Sequence, residues 1–564
     1  MSKLVKQTEN ALRQAVLDAM GRAVSEGVLP PEPAPAFTVE IPADRLNGDY
    51  ASNVAMACAK AFRMPPRKIA EAITARIELE GTFFNRCEVA GPGFINFFLS
   101  DRYYAAILAD IRACGRDYGR SDFGAGRRVM VEFVSANPTG PMHMGNARGG
   151  ALGDCLASVL DRAGFDVCRE FYVNDAGNQI EKFALSLEVR YLQHFLGEEA
   201  VELPEDSYHG DDIRVRAEEF AAVYGDRFVH AEPSQRRQAL VAFALPKNIA
   251  SMQETLAKYR IHYDNWFYES TVHQDGELQE TIELFKQAGL TYEQDGALWY
   301  RATQRGAEKD EVLVRANGTP TYFAADVAYH RNKLVKRGFD KAIDIWGADH
   351  HGHVARMKGA LEAIGIDPSR LDVILMQLVR LVSGGEVVRM SKRTGKAITL
   401  TDLLDEIPVD AARFLFNLRE PGSQMEFDLD LAVEQSAQNP VYYCQYAHAR
   451  ICSILKKLAG EGIAVRDCTE EELCLLDAPE ERALIRHLSA LTDEIILAAR
   501  NYDPARITRY VIELATLFHK FYNACRVRVE EEPLMQARIS LCICVRDTIR
   551  NVLELLKIDA PEAM

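Results

Sequence analysis

The amino-acid sequence predicts an α/β protein in three parts: an α+β unit over 1–112, a mostly parallel sheet covered by helices over 113–407, and an all-α bundle over 408–564. Three observations predict it. From about residue 120, strand-like runs alternate with helical periodicity, as in a parallel sheet with crossover helices. Beyond Pro408 the apolar residues keep a helical period. The chain is also long, 564 residues at 48% hydrophobic and 26% charged, which supplies several cores at roughly 150 residues each.

Each element has its own justification. Residues 4–26 place Leu4, Ala11, Leu12, Ala15, Val16, Met20 and Ala23 on one helical side, and the Pro-rich PPEPAPAF ends that helix as a stiff connector. FTVEIP reads as a strand, and VAMACAKAF and RKIAEAITARI as helices. CEVAGPGFINFFL reads as a hairpin around Gly91, Pro92 and Gly93, and RYYAAILADIRA as a helix. RRVMVEFVSA is β-rich and leads through a Pro/Gly loop into the helix NARGGALGDCLASVLDRAG. VCREFYV and NDAGNQIEKFALSLEVRYLQHF are the next strand and helix, and residues 196–235 read as an acidic, irregular insertion. LWYR, EVLVR, the helix AADVAYHRNKLVKRG, the strand AIDIWGA, the helix HVARMKGALEAIG and the strand DVILMQLV complete the alternation. Ligands of such sheets sit at the carboxyl ends of strands, near a topological switch point. After Pro408 the chain reads as helical throughout, from AARFLFNLRE to QARISLCICVRDTIRNVLELLKI.

Composition excludes several classes of function. No apolar run is long enough to span a bilayer, and the opening MSKLVKQTENALRQAV is amphipathic, unlike a signal peptide. The 12 cysteines include no C-x-x-C pair, so neither a disulfide framework nor a zinc site is expected, and the thiols should be reduced in a cytoplasmic protein. The net charge of −16 opposes non-specific coating of nucleic acid but permits a local basic surface.

Chemistry concentrates in two loops. FVSANPTGPMHMGNARGGALGD (133–154) lies between a strand and a helix, and its Asn, Pro and Gly residues let backbone approach a ligand closely. The loop feeds a helix N-terminus, whose free N–H groups and dipole favour phosphate, with His143 placed to donate to a phosphoryl oxygen. It is neither G-x-G-x-x-G nor a Walker loop. On the residues alone, a nucleotide site and a plain turn with an incidental histidine weigh equally. The second loop, VVRMSKRTGKAITL (387–400), carries Arg389, Lys392, Arg393 and Lys396, which can offset polyphosphate charge. Alone, a basic loop is more often merely solvated; beside the first loop it becomes a second jaw. Asp349, His350, His351 and His353 are metal-ligand types at close spacing, but sequential neighbours diverge and no H-E-x-x-H frame exists.

These residues carry a resemblance. H-M-G-N (143–146) resembles the HIGH signature of class I aminoacyl-tRNA synthetases, and R-M-S-K-R (389–393) their KMSKS loop. The string S-A-N-P-T-G-P-x-H-x-G with YVNDAGNQ (172–179) and IWGADHHGH (345–353) is similar to the bacterial arginyl-tRNA synthetase family across nearly the whole chain. The resemblance implies a Rossmann-type catalytic domain, an N-terminal domain touching the outer corner of tRNA, and a C-terminal anticodon-binding bundle. It implies an ATP-dependent ligase that makes arginyl-adenylate and transfers arginine to the 3′ end of its tRNA, activation itself requiring bound tRNA. His143 and Lys392 become the catalytic pair. ATP falls to His143, Gly145, Asn146, Gly347, Asp349, His350, Arg389 and Lys392. Arginine falls to Asn137 and Glu132 at its backbone end and to Glu269, Tyr322 and Asp326 at its side chain. Tyr322 and Asp326 stand at i and i+4, on one helical face, as a guanidinium receptor needs. Magnesium accompanies ATP with no protein ligand evident, and a monomer is the family expectation. Two positions depart from the family pattern. Asn146 replaces the second histidine of HIGH, keeping a hydrogen bond but no charge, and Arg389 replaces the first lysine of KMSKS, keeping charge but changing shape. The rivals are another adenylate-forming transferase and a catalytically dead RNA-binding homologue.

Overall fold

In the computed structural model, which describes residues 3–388 and 398–564, the run RVMVE becomes the central strand Arg128–Glu132, buried from its second residue on. Its apolar residues face both sides, as a parallel strand covered by helices requires. Five parallel strands form the main sheet, in the order Leu371–Met376, Lys341–Gly347, Arg128–Glu132, Asp166–Val173, Asn265–Tyr268. Numbered along the chain and read from the Asn265–Tyr268 edge this is 3-2-1-4-5, the doubly wound order, and it reverses between Arg128–Glu132 and Lys341–Gly347. The chain leaves the central strand at that switch point, directly into the Asn137–Gly145 loop.

The helix Gly145–Arg162 that follows is buried along nearly its whole length. Its small residues make this possible: a Cβ on Gly153 would lie 2.2 Å from the Phe133 ring, and one on Gly150 would lie 2.8 Å from Ile261. Fully buried Arg148 donates to the Gln377, Glu420 and Ser423 carbonyls, tying this helix to the far edge of the sheet.

Three segments differ from the sequence expectation. LWYR and EVLVR do not join the parallel sheet. They form Ala297–Tyr300 and Glu311–Val314 of a separate antiparallel sheet with Thr291–Gln294. The cause is the Asp295-Gly296 turn, both residues at positive φ, a two-residue hairpin that only antiparallel strands use. Residues 196–235 are not wholly irregular, for Asp211–Tyr224 is a helix and Pro233–Lys258 another. The acidic residues hid a helical stripe, Ile213, Ala217, Phe220 and Ala221, which packs into a satellite core. Beyond Pro408 the chain is not all helix, because Met425–Asp428 is a strand parallel to Val379–Ser383 with the alternating burial of a half-covered strand.

The N-terminal unit packs helices Val54–Phe62 and Pro66–Thr74 on a four-stranded antiparallel sheet. It docks on the C-terminal helices, where Arg486 donates to the Tyr104 hydroxyl and Arg482 to the Asp101 carboxylate. No helix among the described residues is long and apolar enough to cross a membrane.

Candidate active site

The turn leaving the central strand is strained. Val134 (φ 71°) and Ser135 (φ 40°) both occupy the left-handed region, which β-branched residues avoid. Ser135 holds the turn, donating to Glu132 Oε1 at 2.9 Å and accepting the Tyr172 N–H at 3.1 Å. Asn137 is exposed just beyond, and the buried Asn248 amide donates to the Pro138 carbonyl at 3.1 Å. The loop ends on His143, whose backbone N–H donates to Asn146 Oδ1 at 3.0 Å. Asn146 therefore braces the loop through the atom in which an amide differs from imidazolium.

His143 bridges Thr399 as an antiparallel pair, Met144 N–H donates to Ile398 O, and Leu400 N–H donates to Met142 O. His143 and Gly145 share a cleft of about 560 Å³ with Val388 and Ile398. Those two residues flank 389–397, so both ends of the second loop meet the first across some 240 residues of sequence. Arg389 and Lys392 themselves lie outside the described residues.

A larger cleft, about 1050 Å³, opens at the carboxyl ends of the strands. Tyr172 and Asn174 enter it from one strand end, Glu269 from the next, Tyr322 and Asp326 from the helix Tyr322–Arg331, and His353 from the helix His351–Ala363. Asp349 and His350 stand on this cleft's rim and not among the residues lining the His143 cleft. Gly347, at the end of Lys341–Gly347, admits them, since a Cβ there would lie 2.4 Å from Asp349 Oδ1.

The cleft is anionic, and its anions are held. Asp326 accepts from His353 Nε2 at 2.7 Å and faces His330 Nδ1 at 3.2 Å. Burial alone would raise its carboxyl; the two imidazoles override it and hold Asp326 below the usual carboxylate range. A carboxylate offers about four acceptor sites, so about two remain for a ligand. Glu269 is paired with His273 at 3.5 Å and, with the Asn174 amide turned to donate, receives it at 3.1 Å. Its burial raises its carboxyl despite Tyr172 and His273. The Tyr322 hydroxyl accepts the Asn178 N–H at the start of the helix Asn178–Leu196. Glu132 turns inward, toward Ser135, Tyr329 and Lys333, which leaves about one acceptor site.

The structure thus gathers Glu269, Tyr322, Asp326, Asp349 and His350 at one cleft and His143 with Gly145 at another, with Asn137 exposed and Glu132 buried between their loops. Sequence reasoning missed Tyr172, Asn174 and His330, and did not pair His353 with Asp326. His330 was findable, because it stands four residues after Asp326 on the same helical face. Among the described residues, no group of three or more His, Cys, Asp or Glu could hold a metal ion.

Comparison with known proteins also divides the chain in three, with the second boundary at residues 444–453 and not at 408. Family models match in series: an arginyl tRNA synthetase N-terminal domain over residues 6–99, a class I (R) tRNA synthetase catalytic domain over 110–453, and a DALR anticodon binding domain over 444–564. Arginine–tRNA ligases of Ruminiclostridium cellulolyticum and Caldanaerobacter subterraneus subsp. tengcongensis are each 54% identical to it over 564 residues, 100% of both chains. The Thermus thermophilus arginyl-tRNA synthetase structure superposes with a TM-score of 0.72 at 23% identity, covering 99% of this chain and 100% of that one, a likeness of fold.

Proposed function

We propose, from the premise that this chain belongs to the arginine–tRNA ligase family of class I synthetases, that the anionic cleft holds the arginine side chain and the His143 cleft the ATP phosphates. The chain is an ATP-dependent ligase that joins arginine to tRNA. The observation that carries the site assignment is Asp326: an ionised carboxylate with acceptor sites to spare, on one wall with Tyr322 and Glu269. A guanidinium is a planar, permanently charged fork, and such a set of acceptors matches it.

The arginine carboxylate attacks the α-phosphorus of ATP in line, releasing pyrophosphate and leaving arginyl-adenylate. The terminal ribose hydroxyl of tRNA then attacks the activated carbonyl, releasing AMP. His143 and the N-terminus of Gly145–Arg162 donate to phosphoryl oxygens as they gain charge, and Lys392 offsets the departing pyrophosphate. No covalent enzyme intermediate is needed; positioning and charge stabilisation account for the rate. Asn137 and the remaining acceptor site of Glu132 receive the amino-acid backbone end. Magnesium enters as the complex with ATP, held by the phosphate oxygens themselves.

The unit 1–112 serves the outer corner of arginine tRNA and the bundle 408–564 its anticodon. Half-exposed Tyr446 stacked on His519, with Arg450 nearby, offers a base-stacking surface in that bundle. Activation waits for bound tRNA, and the enzyme acts as a monomer in the cytoplasm, a reducing compartment that suits its twelve free thiols.

The test is Asp326→Asn, assayed by aminoacylation. The arginine KM should rise about 10- to 150-fold, the loss expected for a hydrogen bond to a charged group, while the ATP KM holds. An unchanged arginine KM in folded protein overturns the pocket.

A further inference from the structure

Behind the cleft lies a buried chain of charges whose inner members, His330, Asp344 and Lys333, touch no substrate in the scheme above. From Asp326 it runs to His330, to Asp344, to Lys333 and to Glu132. His330 Nδ1 donates to the Asp326 backbone carbonyl at 2.8 Å and faces its carboxylate, and Nε2 donates to Asp344 Oδ2 at 2.8 Å. Lys333 Nζ donates to Asp344 Oδ1 at 2.9 Å and to Glu132 Oε2 at 2.5 Å. Both His330 nitrogens meet only acceptors, so the ring is an imidazolium, and signs alternate along the chain. His330, Lys333 and Asp344 are each at most 1% exposed.

The backbone dictates this order. Asp344 and Glu132 are register partners on adjacent parallel strands, either side of the switch point. Asp326, His330 and Lys333 succeed one another along the helix that covers them, which widens into a π-turn at Asn332–Lys336 under Lys333. The two ends are the carboxylates assigned to opposite ends of one substrate: Asp326 to its guanidinium, Glu132 to its α-ammonium. A core needs no such chain for stability, since apolar residues of like volume serve as well or better. A fully satisfied buried network instead fixes its members in one geometry.

We propose that His330, Asp344 and Lys333 are positioning residues that hold Asp326 and Glu132 as one rigid gauge, so that the site measures the separation of the two cationic groups of its substrate. This rests on the arginine-pocket reading. It makes Asp344 a determinant of specificity that contacts no ligand, and it identifies length as a selected quantity alongside charge. A side chain one methylene shorter or longer leaves one carboxylate unpaired. The burial of both cations is consistent with the role: Lys333 is fully enclosed, and burial opposes the His330 charge but the Asp326 and Asp344 carboxylates push its pKa up to about 10.

The experiment compares His330→Gln, Asp344→Asn and Lys333→Met with wild type in aminoacylation, using arginine and its homologues one methylene shorter and longer. The arginine KM should rise about ten-fold or more, with kcat and ATP KM moving less than about three-fold. The preference for arginine over both homologues should fall by a similar factor, a readout that a purely structural lesion does not move. Lys333→Arg should keep more of that preference than Lys333→Met. The double variant His330→Gln/Asp344→Asn replaces an ion pair by a neutral hydrogen-bonding pair and decides the matter should a single variant fail to fold. Unchanged length preference in folded variants, or an equal rise in ATP KM, overturns the gauge. Asp326→Asn run alongside separates the two ideas: if it raises the arginine KM while His330→Gln does not, the pocket stands and the gauge falls. If Asp326→Asn has no effect, the pocket reading itself has failed.

Discussion

One methyl group at Gly177 should weaken the arginine pocket without unfolding the protein. Gly177 precedes the helix Asn178–Leu196 at φ 74°, ψ −161°, a region essentially reserved for glycine. Alanine there costs roughly 1–3 kcal/mol in backbone strain. Its Cβ would also lie 2.7 Å from the Tyr322 hydroxyl and 2.8 Å from Cε1, where ordinary contact begins at 3.4 Å, so about 0.7 Å must be recovered. Backbone cannot yield that easily, but the far end of a tyrosine can. The Tyr322 ring swings away and its hydroxyl loses the Asn178 N–H. The predicted result for Gly177→Ala is an arginine KM raised about ten-fold, one hydrogen bond to a charged group, with the ATP KM unchanged. The assay is arginine-dependent ATP–pyrophosphate exchange over a range of arginine concentrations, with circular dichroism confirming the fold. A wild-type arginine KM in folded Gly177→Ala would refute the placement of Tyr322 against the guanidinium.

The remaining predictions concern the loop, the domain junction and the buried network. Asn146→Ala removes the acceptor for the His143 N–H, so the ATP KM should rise about five-fold, near 1 kcal/mol, while the arginine KM holds in the same exchange assay. Arg413 is fully buried and donates to Asp154, to the Tyr259 carbonyl at 2.9 Å and to the Leu556 carbonyl at 2.8 Å, joining catalytic and C-terminal segments. Arg413→Met takes one of two guanidinium partners from Asp154, which keeps Arg169 at 2.9 Å, and strands two buried carbonyls, so thermal melts should show a loss on the order of 3 kcal/mol. For pH the sign follows from His330, raised from an unfolded value near 6.5 to about 10 in the fold. Its contribution is complete below about pH 6.5 and lost as pH rises toward 10, with an upper bound on the order of 5 kcal/mol shared with Asp326, Asp344, Lys333 and His353. Wild type should therefore lose more thermal stability between pH 7 and 9.5 than His330→Gln does.

What could be read in the sequence depended on range. Four of the five parallel strands were legible as short β-rich runs punctuated by turns, while the four-residue Asn265–Tyr268 was too short to stand out, and Asn137 to Gly145 was legible because no regular element tolerates that many Pro and Gly residues. Local pattern also set traps. LWYR and EVLVR looked like further parallel strands because the Asp295-Gly296 hairpin signal went unweighed, and MEFD was absorbed into helix because four residues are too few to show a period. Glu132 shows the limit most clearly. Nothing near it in sequence announces that Lys333, 201 residues away, will fill one of its oxygens, because strand register and a crossing helix create that meeting. Asp326 and Tyr322 could be paired by spacing alone, but the two histidines that keep Asp326 ionised arrive from different elements, one of them on another helix.

The most direct test of the account is ATP–pyrophosphate exchange with purified protein, supplied in turn with arginine, citrulline and lysine, with and without arginine tRNA. Citrulline matches arginine in shape without its charge, and lysine keeps charge without the planar fork. Exchange should occur with arginine and with neither analogue, should depend on tRNA, and should be sharply reduced by Asp326→Asn. Exchange supported equally by citrulline or lysine, or undiminished in Asp326→Asn, would contradict it.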